Sequence, residues 1–346
     1  MSRRPLAALV VALLALSGCG GGSSKSGHAS GAPTGAATSS AGSGRGHAAR
    51  NTAAAGVSLS VAPVMHLPVG VSRTVVVAMG SRLVVLGGLA AGDTTTARVW
   101  SVQPTTRTAH QVGSLRQAVH DASGALLAGR AVVFGGGAST TMSVVQAWDG
   151  SAATTIGALP QPRSDSAAAT IGATAYVVGG FSGRGMTRDV LATTDGRSFR
   201  VVARLPIGVR YPAVAAVGGA VYVVGGELAT TEGTLSGGQT DAVQRVDPST
   251  GQARVIGHLG SGLGHATAFV LGGRLFVAGG RHGAAATSAV IAVDLTTGRS
   301  HRVARLPVAL SDAGVAVMGS TAWLVGGETS GPAAPASGVL ELRVAG

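Results

Sequence analysis

The sequence predicts an all-β protein: a six-bladed β-propeller with four antiparallel strands per blade, its last blade closed by an N-terminal strand. Three observations predict it. An apolar run ending in a glycine pair recurs six times. A hairpin of nearly constant length precedes each pair. One strand is missing from the last repeat, and one is left over before the first. Six units of about 40–50 residues, each with four short strands, are typical of a propeller.

The glycine pair is the most regular feature of the repeat. Each pair follows three or more apolar, mostly β-branched residues, as in Tyr176–Val178, and such a run is typical of a strand buried on both faces. A glycine pair at its end indicates a sharp turn or a close approach to another backbone. The six pairs are Gly87-Gly88, Gly135-Gly136, Gly179-Gly180, Gly225-Gly226, Gly279-Gly280 and Gly326-Gly327.

A leucine stands 20 residues before the first glycine of each pair. Thirteen residues after the leucine, five repeats have a further glycine between two apolar runs, and the second repeat has it one residue later, at Gly129. This pattern predicts a tight hairpin. All the length variation therefore falls after the glycine pair, in a variable loop. The leucines are Leu67, Leu115, Leu159, Leu205, Leu259 and Leu306.

The third repeat illustrates the four predicted strands, which are Ala167–Ile171, Ala175–Val178, Val190–Thr193 and Ser198–Ala203. Asp195-Gly196 supplies turn residues between the last two. After the sixth glycine pair only Val339–Val344 remains, so that repeat lacks a fourth strand. We expect Ser58–His66 to supply it, which would leave no open edge in the ring.

These residues resemble the kelch repeats. The glycine pair matches in all six repeats, and the aromatic residue before it matches at Tyr176, Tyr222, Phe276 and Trp323. The family's fourth-strand tryptophan is missing, and only Phe199 could fill the same space between blades. The resemblance covers residues 57–346. It implies that the loops after the second strand and between blades hold a ligand or an active site.

The start of the chain predicts export and lipid attachment. Residues 1–18 combine Arg3 and Arg4 with a short apolar stretch, and Leu16-Ser17-Gly18-Cys19 resembles a bacterial lipoprotein signal. That resemblance implies cleavage before Cys19, lipid on its sulfur and an extracytoplasmic, membrane-anchored protein. Either Sec or twin-arginine export fits. Residues 19–56 have the composition of a flexible Gly/Ser/Ala linker, and residues 57–346 form the predicted propeller.

The amino-acid composition limits which crosslinks, partners and cofactors we expect for this protein. Cys19 is the only cysteine, so no disulfide forms within the chain. The formal net charge is +12, but the arginines form no run longer than two and no aromatic residues are interleaved with them, so we expect no nucleic-acid partner. No metal-binding spacing or phosphate-binding loop is present, and we expect neither a metal nor a cofactor.

Two polar sets are predicted at one mouth of the channel. Residues six positions after each leucine form an inner ring: Arg73, Asp121, Asp165, Tyr211, His265 and Asp312. Residues directly after the glycine pairs form a second ring, whose charged members are Glu227, Arg281 and Glu328. Polar groups that converge on a concave mouth predict a ligand site, and these nine residues are the predicted ligand-binding set.

The sequence favours a binding module for a carbohydrate, a peptide or an envelope protein. The alternative is a sugar-active enzyme, in which the three aspartates would act as bases with His265 as partner. The kelch family, which this sequence resembles, includes a sialic-acid epimerase and the copper-radical galactose oxidase. The oxidase needs a cysteine–tyrosine crosslink, and Cys19 is not free to form one. A third possibility, adhesion to an acidic wall polymer, would depend steeply on salt.

Overall fold

A computed structural model describes residues 57–229, 238–331 and 333–345. The predicted signal peptide, Cys19 and the linker up to residue 56 lie outside the described residues. Among the residues described, no helix is long and apolar enough to cross a membrane.

The described residues form β-strands joined by turns and loops, with one 3-10 turn among them at Ala91–Asp93. The first strands are β1 (Leu59–His66), β2 (Val75–Met79), β3 (Arg82–Leu86), β4 (Leu89–Ala90), β5 (Thr94–Thr95), β6 (Arg98–Gln103), β7 (Thr108–Ser114), β8 (Ser123–Leu127), β9 (Arg130–Phe134), β10 (Val144–Trp148), β11 (Ala153–Ala158), β12 (Ala167–Ile171), β13 (Thr174–Val178) and β14 (Asp189–Thr193). The remaining strands are β15 (Arg200–Arg204), β16 (Ala213–Val217), β17 (Ala220–Val224), β18 (Ala242–Asp247), β19 (Gln252–His258), β20 (Thr267–Leu271), β21 (Arg274–Ala278), β22 (Arg281–His282), β23 (Ala285–Ala286), β24 (Ala289–Val293), β25 (Ser300–Arg305), β26 (Gly314–Met318), β27 (Thr321–Val325) and β28 (Gly338–Val344).

These strands form six four-stranded antiparallel sheets, the six predicted blades. Blades 1 to 6 begin with β2, β8, β12, β16, β20 and β26. Those six strands contact one another in sequence, and β26 contacts β2, so they are the innermost strands around a closed channel. Two short hairpins, β4–β5 and β22–β23, lie in the variable loops of blades 1 and 5. The structure therefore confirms the six-bladed propeller.

Blade 6 is closed by the N-terminal strand, as predicted. Its strand order is β1-β28-β27-β26, and β1 pairs with β28 from Leu59↔Val344 to His66↔Gly338. The first and last segments of the domain are thus joined by backbone hydrogen bonds in one sheet.

The glycine pairs carry the chain against the next blade. The amide of Gly327, in blade 6, donates to the carbonyl oxygen of Val71 ahead of blade 1, at 2.9 Å. The same bond joins every pair to the following blade. At Gly326 a Cβ would lie 1.9 Å from that oxygen, and φ is +66°. Both reasons for glycine given by the sequence, positive φ and close approach, therefore apply here.

The core lies between neighbouring blades. Six clusters of buried Val, Leu, Ala and aromatic side chains fill these spaces, and in one of them Phe199 of blade 3 meets Phe134 of blade 2 edge to face, 6.1 Å between centroids. Two fully buried glutamines also join adjacent segments. Gln146 accepts from the backbone N–H and donates to the carbonyl of Gln117, and Gln244 does the same with Ile207.

Candidate functional site

The six residues of the predicted inner ring lie together around the channel. Each N–H donates to the carbonyl oxygen of its neighbour in the preceding blade, at 2.8–3.1 Å, and the amide of Arg73 closes the circle on Asp312. All six adopt left-handed backbone conformations, with φ between +50° and +58°. Non-glycine residues rarely hold this conformation unless their surroundings impose it. The closed circle of backbone bonds is what imposes it here.

Side chains of this ring meet on the channel axis. Arg73 belongs to blade 1 and Tyr211 to blade 4, which lie opposite each other in a ring of six. Their side chains nevertheless touch, with Arg73 Nη1 donating to the Tyr211 hydroxyl at 3.1 Å. The hydroxyl donates in turn to Asp121 Oδ2 at 3.3 Å, and Tyr211 stacks on His265 with centroids 4.0 Å apart. Together these contacts cross the channel.

A cavity of about 170 Å³ lies against this ring. All six ring residues line it, together with the three residues that follow each of them, which are mostly Ala, Val, Gly, Ser and Thr. The cavity therefore has a polar boundary at the ring and walls of small side chains along the innermost strands.

The second predicted ring also forms, but it does not line this cavity. Each residue after a glycine pair makes a β-bridge to the residue that precedes an inner-ring residue, for example Glu227 with Arg210 and Glu328 with Ser311. The charged members support the inner ring. Glu328 Oε1 accepts from Arg73 Nε at 2.7 Å, and Glu328 Oε2 accepts from Arg281 Nη2 at 2.6 Å.

His265 is held between two carboxylates. Its Nδ1 lies 2.6 Å from Asp312 Oδ1 and its Nε2 lies 2.8 Å from Glu227 Oε1. Burial alone would lower the pKa of His265, but the bonds to Asp312 and Glu227 outweigh burial and raise it to about 9. Although burial opposes it, the same bonds lower the pKa of both carboxyls. His265 is therefore an imidazolium at neutral pH.

Asp121 and Asp165 behave differently from Asp312. Burial, followed by the charge of Asp165, raises the pKa of Asp121 to about 8 despite the contact with Arg73. Burial also raises the pKa of Asp165, although Arg210 opposes it. Burial thus favours a proton on the Asp121–Asp165 pair, and the ring presents both hydrogen-bond donors and acceptors to the cavity.

Sequence reasoning missed one charged residue of this cluster. Arg210 precedes Tyr211 and bridges Glu227 Oε2 at 2.7 Å and Asp165 Oδ2 at 3.5 Å. Its guanidinium also lies over the Tyr211 ring, 5.1 Å from the centroid. The position before each ring residue holds Ser, His, Gly or Arg, so no shared charge marked it in the sequence.

No group of three or more His, Cys, Asp or Glu residues within the described ranges is arranged to hold a metal ion.

Comparison with protein families finds no matching family model, and no curated protein matches the chain. Solved structures do match. That of YjhT superimposes with a TM-score of 0.66 at 14% sequence identity, covering 80% of this chain and 96% of YjhT. At this identity the likeness supports the β-propeller fold alone.

Proposed function

We propose that this protein is a binding module that takes one end of a carbohydrate or peptide ligand, free or carried by an envelope protein, into the propeller channel. The observation that carries the proposal is the cavity of about 170 Å³ bounded by one polar side chain from each of six blades. Sites for drug-sized ligands span roughly 300–1,000 Å³, so this one suits a single sugar ring or side chain.

The chemistry of the ring supports a hydroxyl- or amide-bearing ligand. Arg73 offers donors, Asp312 offers an acceptor, the Asp121–Asp165 pair offers both, and the Tyr211 hydroxyl, which donates to Asp121, is left to accept. Small side chains below the ring leave room for a compact group. Proteins bind small ligands with this combination of a few placed polar groups and apolar walls.

A glycan and peptide array, read for both binding and turnover, tests the proposal. Tyr211→Phe removes the hydroxyl that joins Arg73 and Asp121 and should weaken binding at least tenfold, whereas Tyr222→Phe, outside the cavity, should leave it unchanged. Equal affinity of wild type and Tyr211→Phe would place the ligand elsewhere.

A sugar-active enzyme is the second candidate, because burial raises the pKa of both Asp121 and Asp165, and a carboxyl pair that favours holding one proton can act as acid and base. Asp121→Asn separates the two functions. Asparagine resembles the protonated acid but cannot give up a proton. Turnover in the wild type that disappears in Asp121→Asn supports the enzyme, and binding without turnover in either protein supports the module.

The proposal places the propeller outside the cytoplasmic membrane, anchored by lipid on Cys19. The lipoprotein-like motif at residues 16–19 supports it. Detergent partitioning of the wild type and Cys19→Ala tests it: the wild type should enter the detergent phase and the variant should stay in the aqueous phase. The same partitioning for both proteins would remove the anchor from the proposal.

A further inference from the structure

Arg163 is unlike its counterparts in the other five blades. It lies four residues after the repeat leucine, two before the ring residue Asp165. The same position holds buried valine or leucine elsewhere: Val71, Val119, Val209, Leu263 and Leu310. The repeat itself therefore shows that the fold needs an apolar side chain here and has no need of a charge.

The guanidinium of Arg163 is fully buried and has no carboxylate within ion-pair distance among the described residues. Nη1 donates to the backbone oxygens of Asp189, at 2.9 Å, and Gly179, at 3.3 Å. Nε and Nη2 find no hydrogen-bond partner in the described part of the chain. Burial lowers the pKa of Arg163 to about 10, although the charge of Asp189 opposes this, and Arg163 stays charged at neutral pH. A buried charge that forms no direct ion pair is costly.

A groove of about 470 Å³ lies one residue away from this arginine, which does not itself line it. Its wall includes Thr187, Arg188 and Asp189, and Asp189 is the residue whose carbonyl receives the Arg163 donor. The channel cavity shares no residue with it. Its volume lies within the range of small-molecule sites.

The groove carries further positive charge. Arg188 is fixed by two bonds to backbone oxygens, from Nε to Leu205 at 2.7 Å and from Nη2 to Pro206 at 2.5 Å. Arg204 contributes a second guanidinium, whose Nε pairs with Asp189 at 2.9 Å. Two guanidinium groups, those of Arg188 and Arg204, thus line this groove beside one carboxylate, and the buried Arg163 lies behind Asp189.

We propose that the groove beside blade 3 is a second ligand site, distinct from the channel, that binds the carboxylate or phosphate group of a small molecule. Arg188 and Arg204 contact the anion. Arg163 does not reach the surface. It acts from within the wall, where the low dielectric leaves its charge poorly screened, and the bound anion adds to the negative charge that Asp189 supplies from the same wall.

Titration with inorganic phosphate and with acetate, by calorimetry at constant ionic strength, tests the proposal. Arg163→Val installs the residue found at this position in three other blades, so it should fold and melt at a higher temperature than the wild type. The same variant should bind the anion at least tenfold more weakly. Arg274→Ala, an exposed arginine at a hairpin turn in blade 5, is the matched control and should bind within twofold of wild type.

Arg188→Ala changes only an exposed residue of the groove and provides a second test should Arg163→Val fail to fold. It too should weaken anion binding at least tenfold. Two results would overturn the proposal: no binding of either anion by the wild type at tens of millimolar, or unchanged affinity in Arg188→Ala or in folded Arg163→Val.

Discussion

His265 is the residue whose surroundings predict how the stability of the folded chain depends on pH. It lies between Asp312 and Glu227, and its pKa is raised from 6.5 to about 9 in the folded chain. Protonation therefore favours the folded state. The stabilisation is fully present below pH 6.5 and is lost as the pH rises through about 9.

We expect His265→Gln to lower the free energy of unfolding by about 3 kcal/mol at pH 6 and by much less at pH 9.5. Urea unfolding at the two pH values measures this. His258→Gln removes an exposed histidine that pairs with Asp241 and should cost at most about 1 kcal/mol. A loss for His265→Gln that is equal at both pH values would show that the imidazolium is not what the carboxylates hold.

The residues of the inner ring also show where sequence reasoning succeeds and stops. A fixed offset from the leucine was enough to place Arg73 and Tyr211 on one ring. The offset does not encode how far a side chain extends, so their contact across the axis could not be foreseen. The buried Arg163 was missed, although it stands at the offset from the repeat leucine where the other five repeats have Val or Leu, which is the signal that marks the position as buried.

At the scale of the element, the blade-to-blade crossover depends on more than the glycine pairs. Gln146 and Gln244 occupy equivalent positions in the third strands of blades 2 and 4. Each is fully buried and satisfies both backbone groups of one crossover residue. A glutamine in a predicted strand indicates an exposed position. The sequence therefore did not predict that these two side chains are buried and bind the crossover backbone.

We expect Gln146→Leu to lower the free energy of unfolding by about 2 kcal/mol, because both part-buried hydrogen bonds to the N–H and the carbonyl of Gln117 would be lost. Urea unfolding measures the change. Gln111→Leu, on the exposed outer strand β7, is the control and should change stability by less than about 0.5 kcal/mol. Equal values for the two variants would argue against a structural role for the hydrogen bonds between Gln146 and Gln117.

At the scale of the whole molecule, stability depends on closing the ring. β1 is the outer strand of blade 6, and without it β28 would become an unpaired edge. We expect a protein that begins at residue 67 to lose cooperative unfolding or to melt far below one that begins at residue 57. Thermal unfolding followed by circular dichroism compares them, and coincident melting curves would contradict ring closure by β1.

The architecture was predictable because it repeats. Six copies of one local pattern, with equal offsets from Leu67 to Gly87 and from Leu306 to Gly326, can be satisfied only by equivalent blades. The position of the candidate site was predictable, because equal offsets place its residues on one ring. The identity of a ligand could not be predicted, since the ring residues differ from blade to blade and much of their charge is balanced by neighbours such as Arg210 and Glu328.

The most direct test of the channel site is a crystal structure of the protein soaked with monosaccharides and short peptides. We expect ligand density in the cavity of about 170 Å³, within hydrogen-bonding distance of Asp121 or Tyr211. Ligands that bind the protein but lie only outside the channel, with the ring side chains unchanged, would contradict it.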